Sequence, residues 1–166
     1  MSQISVLILM GSDSDAPVMQ AAIDVLGEFE IPCEMTVASA HRSPERVMRL
    51  VSEAPGRGVK LFIVGAGAAA HLGGVVAAHT TLPVIGVPID SSALKGLDAL
   101  LSTVQMPPGV PVATVSIGKP GATNAGVLAA QILAVGDASI AARLVAYKKK
   151  LAEKVEQAAA RLNPQS

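Results

Sequence analysis

"ISVLILMGSDSD", residues 4–15, decides the fold. An apolar run from Ile4 to Met10, interrupted only by Ser5, stops abruptly at Gly-Ser-Asp-Ser-Asp. An amphipathic helix would interleave polar residues, and a half-exposed strand would alternate. A nearly continuous run of this length, bounded by turn residues, reads as a strand covered on both faces. It is short, has no basic segment before it, and runs directly into a polar turn, so it reads as a core strand rather than a secretion signal. Gly11 permits the sharp turn and a close approach of backbone to a ligand. Asp15, followed by Pro17, reads as the N-cap of a helix over 16–29.

The same unit recurs along the chain. "CEMTVA" (33–38), "KLFIVG" (60–65), "PVIGVP" (83–88) and "VPVATVSI" (110–117) read as further strands. Helical patterns lie between them at 44–54, with Ser43 as N-cap and Pro44 at the first helical position, then at 69–79, at 92–103 from Ser91 or Ser92, and at 121–135. Strand–helix alternation implies a parallel sheet with helices on both faces, and right-handed crossovers favour a three-layer, flavodoxin-like α/β order. One domain, 1–166, is expected, with a core over about 4–135. A last helix spans about 137–162, capped by Asp137. Leu144, Leu151, Val155, Ala158 and Leu162 form its apolar stripe, and Lys148, Lys149 and Lys150 a solvated face. That stripe either packs on its own domain or reaches a neighbouring subunit.

Composition removes several function classes. Basic and acidic residues balance at 13 each, and aromatics make up 2%. Neither the charge excess nor the stacking platforms of a nucleic-acid binder are present. No apolar run is long enough to span a membrane. Cys33 is the only cysteine, which fits a reducing, cytoplasmic setting. A positive mean hydropathy, with 51% hydrophobic residues, points weakly to apolar surface buried between subunits.

Ligands of open parallel sheets bind beyond the carboxyl ends of the strands. The segments that follow the five strands are "GSDSD" (11–15), "SAHRS" (39–43), "GAGAAAHLGG" (65–74), "IDSSALKG" (89–96) and "GKPGATN" (118–124). Most of the chain's scarce polar chemistry therefore falls on one rim. Ser12 and Ser14 offer hydroxyls beside a helix N-terminus suited to an anion. Asp15 would repel phosphate and suits a hydroxyl donor, although the stretch also reads as a plain capped loop. Arg42 suits a phosphate, and His41 exchanges protons near neutral pH. The two also read as an exposed loop pair. His71 is either a ligand contact or a satisfied helix histidine. His79 lies ~12 Å along the same helix, too far to share a metal with it, and reads as a helix-end residue. No nucleophile elbow and no phosphate-binding P-loop occurs. The residues thus point to a small phosphorylated substrate and proton transfer by one histidine, with no metal.

Six motifs, in order, resemble those of the N5-carboxyaminoimidazole ribonucleotide mutase family of purine synthesis. They are "MGSDSD" (10–15), "SAHRSP" (39–44), "GAGAAAHL" (65–72), "PVIGVP" (83–88), "LKGLDALLSTVQMPPGVPVATVSIG" (94–118) and "GATNAGVLAAQIL" (121–133). "VQMPPGVPV" looks like the bacterial mutase class rather than the class that uses free carbon dioxide. The resemblance implies a flavodoxin-like domain in a homo-octamer, acting on a ribonucleotide without ATP, biotin, metal or other cofactor. It implies that His41 is the general acid/base and that Ser12, Asp15 and Arg42 bind substrate. Ser39, Ala40, Gly67, Ala68, Ala69, His71 and Leu72 match the rest of the pocket. Transient channelling from a carboxylating synthetase is expected from the pathway, though no docking segment is visible. An aminoimidazole ribonucleotide carboxylase using free carbon dioxide, and a non-catalytic nucleotide-binding module, are the competing readings. Two positions depart from the family loop Gly-Gly-Ala-Ala-His-Leu-Pro-Gly: Ala68 stands for a glycine and Gly73 for the proline. Ala68 restricts the backbone if its φ is positive, and Gly73 loosens a turn that proline would stiffen.

Overall fold

The apolar runs form the middle of one sheet. A computed structural model describes residues 3–162. In it β1 (Val6–Met10), β3 (Leu61–Gly67) and β4 (Val84–Ile89) are buried nearly throughout. β2 (Cys33–Val37) is only partly covered, because it lies at an edge. β5 (Ala113–Thr114) closes the other edge. The strands run parallel in the order β2-β1-β3-β4-β5, the flavodoxin-like arrangement. In this register Ile8 lies between Met35 and Ile63.

Successive side chains of a strand point to opposite faces, so each central strand feeds two cores. Val6, Ile8, Met10, Ile63 and Ile85 meet α1 (Ala16–Glu28) and α5 (Gly118–Ala134). Leu7, Leu9, Phe62 and Val64 meet α2 (Pro44–Glu53), α3 (Leu72–Ala78) and α4 (Leu97–Val104). The result is the expected three layers. On the first face small buried residues, Ala22, Ala122, Ala125 and Ala129, let α1 and α5 pack closely.

Several expected boundaries shift, each for a local reason. The strand expected over 110–117 shrinks to two residues; on its N-terminal side Pro111 lacks the N–H a ladder needs. One further bond, Val115 N to the Gly86 carbonyl at 3.0 Å, continues its pairing. The helix expected over 92–103 begins at Leu97, because Lys95 and Gly96 take positive φ, 51° and 84°. Ser92 instead accepts a bond from Leu94 N at 3.2 Å, forming a turn. The helix expected over 69–79 begins at Leu72, after a turn closed by His71 N on the Ala69 carbonyl at 2.9 Å. His79 ends it, as expected. α5 starts earlier than expected, at Gly118, and tolerates Pro120 because the first turn needs no N–H there.

The last helix, α6 (Ala138–Leu162), begins as expected at Asp137. The Asp137 Oδ1 accepts from Ser139 N at 2.9 Å and from Ile140 N at 3.3 Å. Hydrogen bonds from the Ser139 hydroxyl, Ile140 and Ser139 hold this carboxyl below its ordinary range. The apolar stripe then divides. Ile140, Leu144 and Tyr147 pack on the first core, with the Tyr147 and Phe29 rings edge-on at 5.2 Å. Arg143 pairs with Glu30, and Lys150 with Glu28 at 3.2 Å. From Leu151 onward almost every residue is exposed, including Val155 at 66% and Leu162 at 82%. No described helix is long and apolar enough to cross a membrane.

Candidate active site

The carboxyl ends of β1, β2, β3 and β4 surround a cavity of about 340 Å³. It lies where the connections after β1 and β3 leave toward opposite faces of the sheet, the place where such folds open a crevice.

The turn after β1 supplies Ser12 and Asp15. Asp15 stands where a helix cap was expected but makes no cap bond to α1. Its Oδ2 accepts from Ser12 N at 3.2 Å, while the Ser12 hydroxyl accepts from Ser14 N at 3.3 Å. This reciprocal box closes a single turn of 3₁₀ helix over Asp13–Asp15. Asp15 is 6% exposed. Burial pushes its carboxyl above the ordinary aspartate range; the Ser12 N–H and the Arg42 charge oppose that rise, and Asp13 adds to it. A buried carboxylate is costly unless something binds it, so its retention at a cavity wall marks it as a contact for a hydrogen-bond donor.

The turn after β2 supplies Ser39, Ala40, His41 and Arg42. Ser43 was expected to cap α2 with its hydroxyl. It turns back instead: it donates to the Ser39 carbonyl at 3.2 Å and accepts from Ser39 N at 3.1 Å. Pro44 does open the helix. The knot at Ser39 aims Arg42. Arg42 N and Nε both approach the Ser39 hydroxyl, at 3.2 and 3.4 Å, and Nη2 donates to the Gly11 carbonyl at 2.8 Å. The guanidinium thus ties the first two loops together. Of its five N–H bonds, at least two remain free for an anion.

The loop after β3 supplies Gly67, Ala69, His71 and Leu72. Gly67 touches the next loop so closely that a Cβ there would lie 1.8 Å from Ser91 Oγ. Ala68 takes φ 49°, the left-handed conformation in which an alanine is strained. It is exposed and does not line the cavity, unlike every other residue singled out from the sequence. Gly73, the second departure, is buried within α3.

His41 and His71, thirty residues apart, meet at the cavity mouth. His41 Nε2 lies 2.8 Å from His71 Nδ1, and the rings stand edge to face at 82°. One of these nitrogens must donate and the other accept, so the two imidazoles share a single proton along that line. The tautomer of one therefore sets that of the other. Among the described residues no three His, Cys, Asp or Glu side chains converge as metal ligands do. Gly11 and Ser14, read from the sequence as a ligand-approach turn and a hydroxyl, also line the cavity, and so do Ala66 and Ser91, which were not singled out as binding residues. Their signal in the sequence was position alone, at or just beyond a strand end.

A cavity with a free guanidinium face, a buried carboxylate, serine hydroxyls and a linked imidazole pair suits a phosphorylated, hydroxyl-bearing molecule and a proton relay. The family model described as AIR carboxylase matches residues 5–154. A protein of Bacillus subtilis named N5-carboxyaminoimidazole ribonucleotide mutase is 58% identical over 137 residues, covering 82% of this chain and 85% of that one. A protein of the same name from Pyrococcus horikoshii is 54% identical over 155 residues, covering 93% and 86%. Among solved structures, Treponema denticola PurE superposes with a TM-score of 0.86 at 31% identity, covering 95% of this chain and 98% of that one.

Proposed function

This chain belongs to the AIR carboxylase family, and from that membership and the rim's geometry we propose how it works as an N5-carboxyaminoimidazole ribonucleotide mutase. It is an isomerase of purine biosynthesis. The substrate carries a carboxylate on its exocyclic nitrogen, and the product carries it on ring carbon C4.

The reaction divides into two proton movements. As the N–C bond breaks, its electrons return to the exocyclic nitrogen, which gains a proton while carbon dioxide leaves. The freed aminoimidazole is enamine-like. Its C4 attacks carbon dioxide, and the C4 proton then departs to restore the aromatic ring. The proton given in the first half is recovered in the second, so one acid/base group serves both. His41 is that group. The observation that carries this assignment is its contact with His71 at the cavity wall. A proton lent by His41 is replaced along the imidazole pair, and one it accepts is stored there.

The ribose phosphate binds Arg42, with the Ser12 turn beside it. Asp15 accepts a hydrogen bond from a ribose hydroxyl, which uses its buried charge. Remote contacts of this kind supply energy to position the ring. Ser39, Ala40, Gly67, Ala69 and Leu72 shape the wall, and Ala68 fixes the loop behind it. Ala40, Ala69 and Leu72 offer water no side-chain hydrogen-bond partner beside the released carbon dioxide.

Eight copies form the working particle. The number follows from the family resemblance; support for assembly itself comes from apolar side chains without cover in one chain: Leu94 (63%), Leu97 (53%) and Leu101 (50%) about α4, and Val155 on α6. α6 would cross to a neighbouring subunit.

The test supplies the two candidate substrates separately and follows C4-carboxylated product by its ultraviolet absorbance. Turnover of the N-carboxylated ribotide at a higher initial rate is expected. Turnover only of free aminoimidazole ribotide with bicarbonate would replace the mutase with a carboxylase.

A further inference from the structure

The hydroxyls of the cavity differ in what already occupies them. Ser12 Oγ donates to Asp13 Oδ1 at 3.2 Å and accepts from Ser14 Oγ at 2.9 Å. Ser39 Oγ is taken by Arg42. Ser91, two residues beyond β4, lines the cavity, and no described residue hydrogen-bonds its Oγ. Ser91 is exposed in the single chain, and Gly67 leaves the room its side chain takes. The Oγ fills the space a Cβ of residue 67 would claim, and the Ile89 carbonyl lies 3.3 Å from that point. Residue 67 must be glycine for Ser91 to sit there.

The surroundings give this hydroxyl its use. On the β3 side of the cavity Ala66, Gly67 and Ala69 offer no side-chain polar atom, and His71 has its Nδ1 engaged with His41 Nε2 at 2.8 Å. Arg42, Ser12 and Asp15 all belong to the β1 and β2 side. A substrate with its phosphate on Arg42 extends its ring toward the side where Ser91 waits. The group that changes place on that ring is a carboxylate, an acceptor of hydrogen bonds only. On the assumption that the reaction is the one proposed above, we infer that Ser91 is a further positioning residue. Its Oγ–H donates to the carboxylate in both its old and new positions and holds the carbon dioxide released between them. No bond to Ser91 forms or breaks. A donor aimed at charge that forms within a small cavity costs no reorganisation when the charge appears.

The test is Ser91→Ala, assayed with substrate labelled with 13C in its carboxylate, in unlabelled bicarbonate buffer. The expected result is a loss of label from product several-fold above wild type. A fall in kcat of about tenfold to hundredfold is expected with it, while affinity for the non-carboxylated ribotide stays within about twofold, the range of effects remote from the bound group. Ser91→Thr, which keeps the hydroxyl, should restore label retention. Gly67→Ala, which displaces Ser91, should reproduce the loss. Normal kcat and normal retention in Ser91→Ala would overturn the inference. So would a parallel loss of ribotide affinity with retention unchanged, since that is a merely structural effect. If wild type itself forms no C4-carboxylated product, the parent reading fails as well. If wild type turns over and Ser91→Ala matches it in both kcat and label retention, only Ser91 is excluded.

Discussion

At the rim of the sheet, a carboxylate is buried, an alanine is held left-handed, two imidazoles share a proton and an arginine bridges two loops. In α6 beyond Leu151 the backbone is regular helix, and apolar side chains face outward. Both regions are incomplete within one chain, in opposite senses. The rim lacks partners for polar and charged groups in a small concave space, which a small anionic molecule satisfies. The far half of α6 lacks cover for an apolar stripe on a convex surface, which only another protein surface satisfies. A substitution in one region should therefore leave the other's property untouched.

The largest effect is expected at His41. His41→Asn keeps the side chain's bulk and removes its proton chemistry. Turnover should fall at least a thousandfold, within the span attributed to a general acid/base. Ribotide affinity and sedimentation should stay as in wild type. Arg42→Ala should do the reverse within the same site. It should weaken ribotide binding by about tenfold to hundredfold, as loss of a charge-assisted contact does, and leave the affinity of a phosphate-free analogue unchanged. Equal weakening of both ligands would remove Arg42 as the phosphate contact. A monomeric His41→Asn would erase the distinction between site and surface.

The second effect belongs to α6. Val155→Asp places a charge on the stripe at a residue 66% exposed in the single chain. Burying that charge between subunits is costly, so the particle should sediment as a smaller species with an unaltered circular-dichroism spectrum. Unchanged sedimentation would mean that this part of α6 faces solvent, and that the apolar residues about α4 carry whatever assembly there is.

How legible each region was follows from the range of the interactions that shape it. β1, β3 and β4 could be read because continuous apolar runs answer to burial alone. β5 could not, because Pro111 removes a ladder donor while the hydropathy of 110–117 still looks like a strand. The start of α4 was hidden because Lys95, a residue without glycine's freedom, takes a positive φ in a turn closed by its own N–H on the Ser92 carbonyl. On the rim, Ser12, Asp15, His41 and Arg42 stood out because each follows a strand end, and the family resemblance gave them roles. The hydroxyl of Ser43 was misjudged, since its contact is with Ser39 rather than with α2. The contact of His41 with His71 joins two loops through three-dimensional proximity, and no spacing rule reaches across it. Ser91 lay in a rim segment already noted, yet its fit against Gly67 exists only in the folded chain.

The smallest effect separates strain from chemistry within the rim. Ala68 sits at φ 49° where the resembling family has glycine. A left-handed alanine costs roughly 1–2 kcal/mol, partly offset because glycine would cost more entropy on folding. Its side chain is exposed, so its methyl recovers little by packing. Ala68→Gly should thus stabilise the fold by about 1 kcal/mol and raise Tm by about 2–4 °C at this chain length. Since Ala68 does not line the cavity, kcat should change by less than about threefold, the scale of effects that do not touch the reacting atoms. A lower Tm would show that the methyl makes contacts, in the chain or in its assembly, that outweigh the backbone cost. A large fall in kcat with a raised Tm would show something else: that the strained turn holds His71 against His41, and that the rim's instability belongs to its mechanism.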